Sequence, residues 1–187
     1  MTLARKRLET RPLRATLLLA VTFLSPALGC NSKTKPTPEN FISTLNAYFL
    51  EHPDCLLVDT RFPYETSDPA KTKQLNTLVK SQLLEVSVET AIHASRFTVT
   101  PTGARYAPRF CFGHRVVTSI DSQTPLTVVN GFRQTQVTYH YKMEDVPVWA
   151  KSDDVLAAFP TLATATSGQA SDHATLAQTI AGWQVPD

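Results

Sequence analysis

Residues 135–142, Thr-Gln-Val-Thr-Tyr-His-Tyr-Lys, alternate between polar and apolar side chains and decide how the second half of the chain folds. A period of two is typical of a β-strand with one face against a core and the other in solvent. The residues predicted to face the core are Val137, Tyr139 and Tyr141, and those predicted to face outward are Gln136, Thr138 and His140. The second half of the chain is therefore predicted to contain a sheet.

A partner strand is predicted just upstream, in a run rich in aromatic and β-branched residues. The residues of that run are Phe110, Phe112, Val116, Val117 and Ile120. Turn signals at Asp121–Pro125 and at Val129-Asn130-Gly131 separate the two strands. We expect the two strands to pair antiparallel through an elaborated connection.

Short helical turns are predicted after the sheet, at 147–150 and 153–159, with Ser152 or Asp153 as a cap. These turns would place the Trp149 and Phe159 side chains so that they cover one face of the sheet. The following segment, 161–171, is small and polar and is predicted to be mobile. A final helix is predicted from Asp172, as its cap, to Trp183.

The first half of the chain has helical periodicity. The spacing of Phe41, Leu45, Tyr48 and Phe49 predicts a helix over 39–51, ended by His52-Pro53. A second helix is predicted over 69–84 from Leu75, Leu78, Val79, Leu83 and Leu84. The predicted fold class is α+β, a single domain over 39–160 with amino-terminal helices packed against a small antiparallel sheet, followed by the segment 161–187.

The stretch 71–107 resembles one half of a winged-helix domain. The resemblance lies in the helix pattern Leu75–Val86 and in a later strand that ends in Thr100-Pro101-Thr102-Gly103. It implies a helix followed by two strands, and in cytoplasmic relatives such a helix can enter a DNA groove. Here its outward face would offer only Lys73 and Lys80, against Glu85, which is too little positive charge for phosphate contacts. No nucleic-acid partner is expected.

The amino terminus predicts export. A basic head precedes an apolar stretch, Ala15–Leu24, and small residues before Cys30, which is the order of a secretory signal. The basic residues of the head are Arg5, Lys6, Arg7, Arg11 and Arg14. Residues 1–29 are thus predicted to be a signal peptide and 30–38 a polar tether. Without residues 1–29 the chain has 13 Lys and Arg against 15 Asp and Glu, a formal charge of −2.

The four residues Ala27-Leu28-Gly29-Cys30 resemble the lipobox of bacterial lipoproteins. The resemblance implies a lipid on the Cys30 sulfur, a membrane as partner and a location at the periplasmic face of the bacterial cell envelope. Ordinary signal peptidase is an alternative, because Ala27 and Gly29 are also suited to it. An uncleaved anchor is a third, although an apolar run of about ten residues is shorter than the roughly 20 that span a bilayer.

The two remaining cysteines, Cys55 and Cys111, form an even pair in a chain predicted to be exported, and this favours a disulfide between them. Two alternatives stay open. Both thiols could be buried and unpaired, or one could be a nucleophile with His52 or His114 as its base.

Other candidate sites are weaker. His114 and His140 could meet across neighbouring strands, with Glu144 or Asp121 as a third zinc ligand. The aromatic group Tyr139, Tyr141, Trp149 and Phe159 could line a ligand groove, with core packing as the alternative. The sequence contains no Gly-x-Ser-x-Gly motif of serine hydrolases, no His-Glu-x-x-His motif of metalloproteases and no glycine-rich phosphate loop. No catalytic residue and no cofactor is therefore predicted.

Three functional hypotheses follow. The first is a non-enzymatic lipoprotein of the envelope that binds another envelope protein or a small ligand, or has a structural role. The second is a secreted enzyme that uses a thiol or a histidine-bound metal. The third is a membrane-tethered nucleic-acid-binding protein.

Overall fold

The computed structural model describes residues 32–186, which form helices and two antiparallel sheets and confirm the α+β class. The helices are α1 (Pro38–Glu51), α2 (Pro69–Lys80), α3 (Asp153–Ala158) and α4 (Pro160–Thr166). The strands are β1 (Tyr64–Thr66), β2 (Leu84–Glu89), β3 (Ala94–Val99), β4 (His114–Gln123), β5 (Thr127–Val129), β6 (Phe132–Glu144), β7 (Ala170–Thr179) and β8 (Gly182–Gln184). Short 3-10 turns cover Ser32–Thr34, Gly103–Arg105 and Val148–Lys151.

Helix α1 forms where its periodicity predicted it and packs on the larger sheet. The Thr37 side chain accepts a hydrogen bond from the Asn40 amide, and Pro38 occupies the first helical position, so the helix has a favourable start. Its buried face is Phe41, Leu45 and Phe49. The Asn46 Oδ1 atom accepts a hydrogen bond of 2.7 Å from the backbone amide of Val117, which ties the helix to β4.

The larger sheet has the strand order β4-β6-β7-β8, with β5 paired to β6. The predicted faces of β6 are confirmed: Val137, Tyr139 and Tyr141 are buried, whereas Gln136 and His140 are exposed and Thr138 is half-buried. The predicted pairing of β4 with β6 is confirmed as antiparallel. Irregularities between Val117 and Ser119 and between Ile120 and Ser122 increase the local twist of β4.

The smaller sheet has the order β1-β3-β2, and α2, β2 and β3 follow one another as the winged-helix resemblance implies. Helix α2 ends at Lys80, earlier than predicted, because Gln82 has a positive φ of 61° and Leu84 already begins β2. Gly103 lies against the backbone of Leu83, and a Cβ atom on Gly103 would overlap the Leu83 carbonyl oxygen. The glycine of the Thr-Pro-x-Gly turn therefore permits a close backbone approach.

The predictions for the carboxy-terminal segment were wrong. Residues 172–183 form strands, not a helix: β7 pairs with β6 from Ala170 to Ala177, and β8 returns along β7. Residues of 161–171 also contribute regular structure, since α4 covers most of that segment. Helix propensity is a weak preference that tertiary contacts can override. Here residues 170–177 form β7 because they pair with the edge of the long strand β6 that β4 and β5 leave unpaired.

The segment predicted as a tether is not a free linker over residues 32–37. The Trp183 indole donates a hydrogen bond of 3.0 Å to the Lys35 carbonyl, and Gln178 Nε2 donates one of 2.6 Å to the Thr34 carbonyl. These contacts hold the segment against β7 and β8. The predicted signal peptide and Cys30 lie outside the described residues. Between Ser32 and Pro186, no helix combines the length and apolar character needed to cross a bilayer.

Candidate functional site

The most elaborate polar arrangement in residues 32–186 surrounds the guanidinium of Arg115, near the start of β4. Its Nε and Nη2 atoms donate hydrogen bonds of 2.8 and 3.0 Å to the two carboxylate oxygens of Asp54. Its Nη1 atom donates to Asp172 Oδ2 at 2.6 Å and to the Tyr139 hydroxyl at 3.2 Å. We call Arg115, Asp54, Asp172 and Tyr139 the Arg115 cluster.

Aromatic rings complete the surroundings of the cation. The guanidinium carbon lies 4.7 Å from the centre of the Tyr141 ring and 5.2 Å from that of Phe49. Contacts of this kind are attractive because the ring faces carry negative charge. The cluster therefore joins α1, β4, β6 and β7 through one side chain.

Burial and charge act in opposite directions on the pKa values of the cluster. Burial alone would lower the pKa of Arg115, but the hydrogen bonds and charge of Asp54, with those of Asp172, outweigh it, so this pKa is raised. Burial raises the pKa of Tyr139 to about 12, despite the opposing effect of the Arg115 charge. Burial also raises the pKa of Tyr141. At neutral pH the phenols of Tyr139 and Tyr141 are therefore neutral beside the Arg115 cation.

Asp54 is positioned by a short two-stranded segment after α1. Its amide donates to the Gly113 carbonyl at 2.9 Å, and its carbonyl accepts from the Phe112 amide at 2.8 Å. Directly beside it, Cys55 and Cys111 face each other in an antiparallel bridge and are joined by a disulfide. The predicted disulfide is confirmed, and it lies next to the residue that binds Arg115.

Arg115 also lines two clefts. One, of about 250 Å³, lies between Phe49, Tyr139 and Asp172 and the last described residues, Val185 and Pro186. The other, of about 420 Å³, lies between the disulfide segment and α4. A larger cleft of about 720 Å³ separates α2 from α3 and is lined mainly by small and polar side chains, with Lys80 paired to Asp154 at 2.8 Å.

The aromatic residues predicted as a candidate ligand groove are all core residues. Tyr139, Tyr141, Trp149 and Phe159 are at most 8% exposed, so the alternative of core packing holds for this group. Trp149 does not pack on Tyr139 as a lid: its ring meets Tyr106 edge to face at 5.6 Å. The ring neighbours of Tyr139 are instead Phe49 and Tyr141.

The two histidines of the predicted zinc site do not converge. His114 lies opposite Glu144 on β6, four residues from His140, a separation of about 13 Å along a strand. Each is paired with its own carboxylate, His114 with Asp145 at 3.4 Å and His140 with Asp121 at 2.9 Å. Among the side chains of the described residues, no group of three or more His, Cys, Asp or Glu is arranged to hold a metal ion.

The structure contains neither the two unpaired thiols nor the nucleophilic thiol that were the alternatives to a disulfide, because the sulfur atoms of Cys55 and Cys111 are bonded to each other. The imidazole of His52 instead stacks on Tyr48, with ring centres 4.0 Å apart, and its Nδ1 lies 2.8 Å from the Tyr48 carbonyl. Neither His52 nor His114 therefore has a thiol to activate.

Sequence reasoning did not identify the Arg115 cluster. One signal was present: Arg115 interrupts the apolar run from Phe110 to Val117, where a charged side chain needs a partner if its strand is buried. The sequence pattern assigns no role to Asp54 and predicts Asp172 as a helix cap. Both acidic partners are more than 55 residues away in sequence, so only the fold brings them together.

Comparisons with protein-family models, curated proteins and solved structures found no match to this chain. The candidate site therefore rests on its own geometry.

Proposed function

We propose that this protein is exported to the bacterial cell envelope, is anchored to a membrane by a lipid on Cys30, and has a binding or structural role. The observation that carries the proposal is the Cys55–Cys111 disulfide. Disulfides persist in oxidising compartments such as the periplasm and are rare in the cytosol. The signal-like order of the first 30 residues and the lipobox-like Ala27-Leu28-Gly29-Cys30 support the same location.

A non-catalytic role is favoured over the two enzyme alternatives by the placement of their key residues. A thiol enzyme needs a free Cys55 or Cys111, and both are bonded. A metal enzyme built on His114 and His140 needs them to meet, and each has a separate carboxylate partner. The polar groups of the Arg115 cluster satisfy one another, an arrangement that suits holding a fold rigid around a binding surface.

Intact-mass measurement of the native protein tests the proposal. We expect a mature chain that begins at Cys30 and carries the mass of a diacylglycerol or a larger acyl modification, and that fractionates with membranes, because more than one acyl chain gives stable anchoring. The matched control is Cys30→Ser, which keeps the signal-like segment and removes the acceptor sulfur. A native protein that retains Met1, or a Cys30→Ser variant that still fractionates with membranes, would contradict the proposal.

A further inference from the structure

Two hairpin turns lie at the same end of the larger sheet. The β5–β6 hairpin turns at Asn130-Gly131, and the β7–β8 hairpin turns at Ile180-Ala181. Gln134 of β6 is paired with both Thr127 and Ala177, so the same register continued by two residues brings Phe132 level with Thr179. At a strand spacing of about 4.8 Å, the two turns are neighbours. We call this the hairpin end of the sheet.

The hairpin end exposes large apolar side chains. Val128 is 72% exposed, Phe132 52% and Ile180 95%, and Val129, opposite Phe132, is also exposed. Neighbouring exposed apolar side chains at the end of a soluble domain indicate an interaction surface, whereas single ones do not. Ile180 lies in a turn, where polar residues are usual, and the other three flank the Asn130-Gly131 turn.

The described chain also begins at the hairpin end. A Cβ atom on Gly182 would lie 3.4 Å from the Lys33 carbonyl oxygen, and Gly182 is the first residue after the Ile180-Ala181 turn. The hydrogen bonds from Gln178 to Thr34 and from Trp183 to Lys35 hold this start in place. Cys30 precedes Ser32 by two residues, which span at most about 7 Å. A lipid on Cys30 would thus be attached close to the exposed turns.

Basic side chains accompany the apolar ones. Lys33 and Lys35 are exposed beside β8, and the exposed Arg133 lies opposite Val128 on the other hairpin. The chain after Cys30 has more acidic than basic residues. The presence of Lys33, Lys35 and Arg133 at the hairpin end therefore does not simply reflect a basic overall composition. Apolar tips with flanking Lys and Arg suit the interface of a bilayer that contains anionic lipids.

We propose that the hairpin end is a second membrane contact, in which Val128, Val129, Phe132 and Ile180 enter the headgroup region of the bilayer to which Cys30 is anchored. This inference rests on the proposed lipid anchor. It orients the domain, because β6 runs from Phe132 at the hairpin end to Glu144 at the other end. The Arg115 cluster lies between the middle of β6 and that other end, since Asp172 is opposite Tyr139 and Arg115 is opposite Met143. The clefts beside Arg115 are then held farther from the membrane than the two turns.

Collisional quenching by lipid tests this orientation. The acylated mature protein carrying Phe132→Trp is reconstituted on vesicles of phosphatidylethanolamine and phosphatidylglycerol, with and without brominated acyl chains. Val148→Trp is the matched control, because Val148 is 87% exposed and follows the opposite end of β6. The unsubstituted protein gives the background from Trp149 and Trp183, both of which are buried.

We expect brominated lipid to quench the tryptophan at position 132 several-fold more than the one at position 148. Equal quenching at the two positions, or none at position 132 in a protein that carries its acyl mass and sediments with the vesicles, would overturn the inference and leave the lipid anchor standing. A blue-shifted emission at position 132 before vesicles are added, unchanged by brominated lipid, would assign the surface to a second copy of the chain and also overturn it. Absence of the acyl mass in the same preparation would overturn the proposed function and this inference together.

Discussion

The guanidinium of Arg115 forms a bidentate ion pair with the carboxylate of Asp54, the residue directly before the disulfide-bonded Cys55. The covalent bridge holds the Asp54 segment against the residues just before β4, and the ion pair joins the same segment to the larger sheet. A covalent and an electrostatic constraint thus act on adjacent residues. Most expected effects of mutation follow from this pairing.

Removing the Arg115 cation should be strongly destabilising. Arg115→Met leaves the carboxylates of Asp54 and Asp172 without their partner in a site where the Arg115 and Asp54 side chains are only 20% and 23% exposed. Loss of one partner from a fully buried pair costs about 3–5 kcal/mol of unfolding free energy. Because Asp172 is 38% exposed and can be solvated, we expect a loss at the lower end of that range, measured by urea denaturation.

The matched control for Arg115→Met is Arg96→Met. Arg96 pairs with Glu65 and Glu89 on the smaller sheet, where all three side chains are about 40% exposed, so its loss should cost under about 1 kcal/mol. Adding Asp54→Leu to Arg115→Met should restore part of the lost stability, because one unpaired charge is then gone. Equal losses for the two arginine variants would show that the Arg115 cluster is not a buried network.

Alkaline pH should weaken the fold through Tyr139. Burial raises the pKa of this phenol from 10.0 to about 12 in the folded protein, so the unfolded chain releases the proton at lower pH. The contribution of Tyr139 to stability is therefore complete below about pH 10 and is lost as the pH rises toward about 12.

Tyr139→Phe should flatten this alkaline loss of stability between about pH 10 and 12. At neutral pH the variant should be less stable by about 1 kcal/mol, because Arg115 Nη1 loses an acceptor at 3.2 Å. Thermal unfolding across this range measures both effects, with Tyr64→Phe on the smaller sheet as the control. If Tyr139→Phe leaves the loss of stability with rising pH unchanged while Tyr64→Phe alters it, the alkaline transition belongs to a group other than Tyr139.

Reduction of the Cys55–Cys111 disulfide should lower the stability. The bridge closes a loop with a sequence separation of 56 residues. On the chain-entropy model such a loop contributes roughly 4 kcal/mol, and measured disulfides range from about 0 to 5 kcal/mol. Urea midpoints with and without reductant give the difference, and a Cys55→Ser, Cys111→Ser double variant should not respond to reductant. Two alkylatable thiols in the folded protein, isolated without reductant, would contradict the bridge.

The packing of Trp149 in the core can be tested by truncating its ring. Trp149→Ala should cost about 3–5 kcal/mol, because it empties a large aromatic site against Tyr106. Trp149→Phe is the milder control: the indole N–H is buried and has no hydrogen-bond acceptor within residues 32–186, so a ring without that group should be better tolerated.

His140→Ala should cost under about 1 kcal/mol, because the imidazole points outward and its pair with Asp121 is about half exposed. Urea midpoints of the three variants measure these losses. A loss of about 3 kcal/mol or more for His140→Ala, the size expected for a buried side chain, would mean that β6 is shifted by one residue, since a shift of one exchanges its two faces.

Local patterns were sufficient for much of the fold and insufficient for the carboxy terminus and the site. The spacing of Phe41, Leu45 and Phe49 identified α1, and the alternation around Tyr139 identified β6, because both patterns record which side chains face the core. Residues 172–183 have no such clear pattern. Their conformation depends on the free edge of β6, a long-range partner that local propensity does not include.

By itself, the sequence determined the α+β class, the faces of β6 and the pairing of β4 with β6, and it favoured the disulfide, because residue type, period and cysteine count carry that information. The tertiary structure alone decided that Asp54 and Asp172 meet Arg115, and that the start of the described chain lies beside the Ile180-Ala181 turn. Arg115 is 61 residues from Asp54 and 57 from Asp172. Electrostatic attraction depends on separation in space, which only the folded backbone sets.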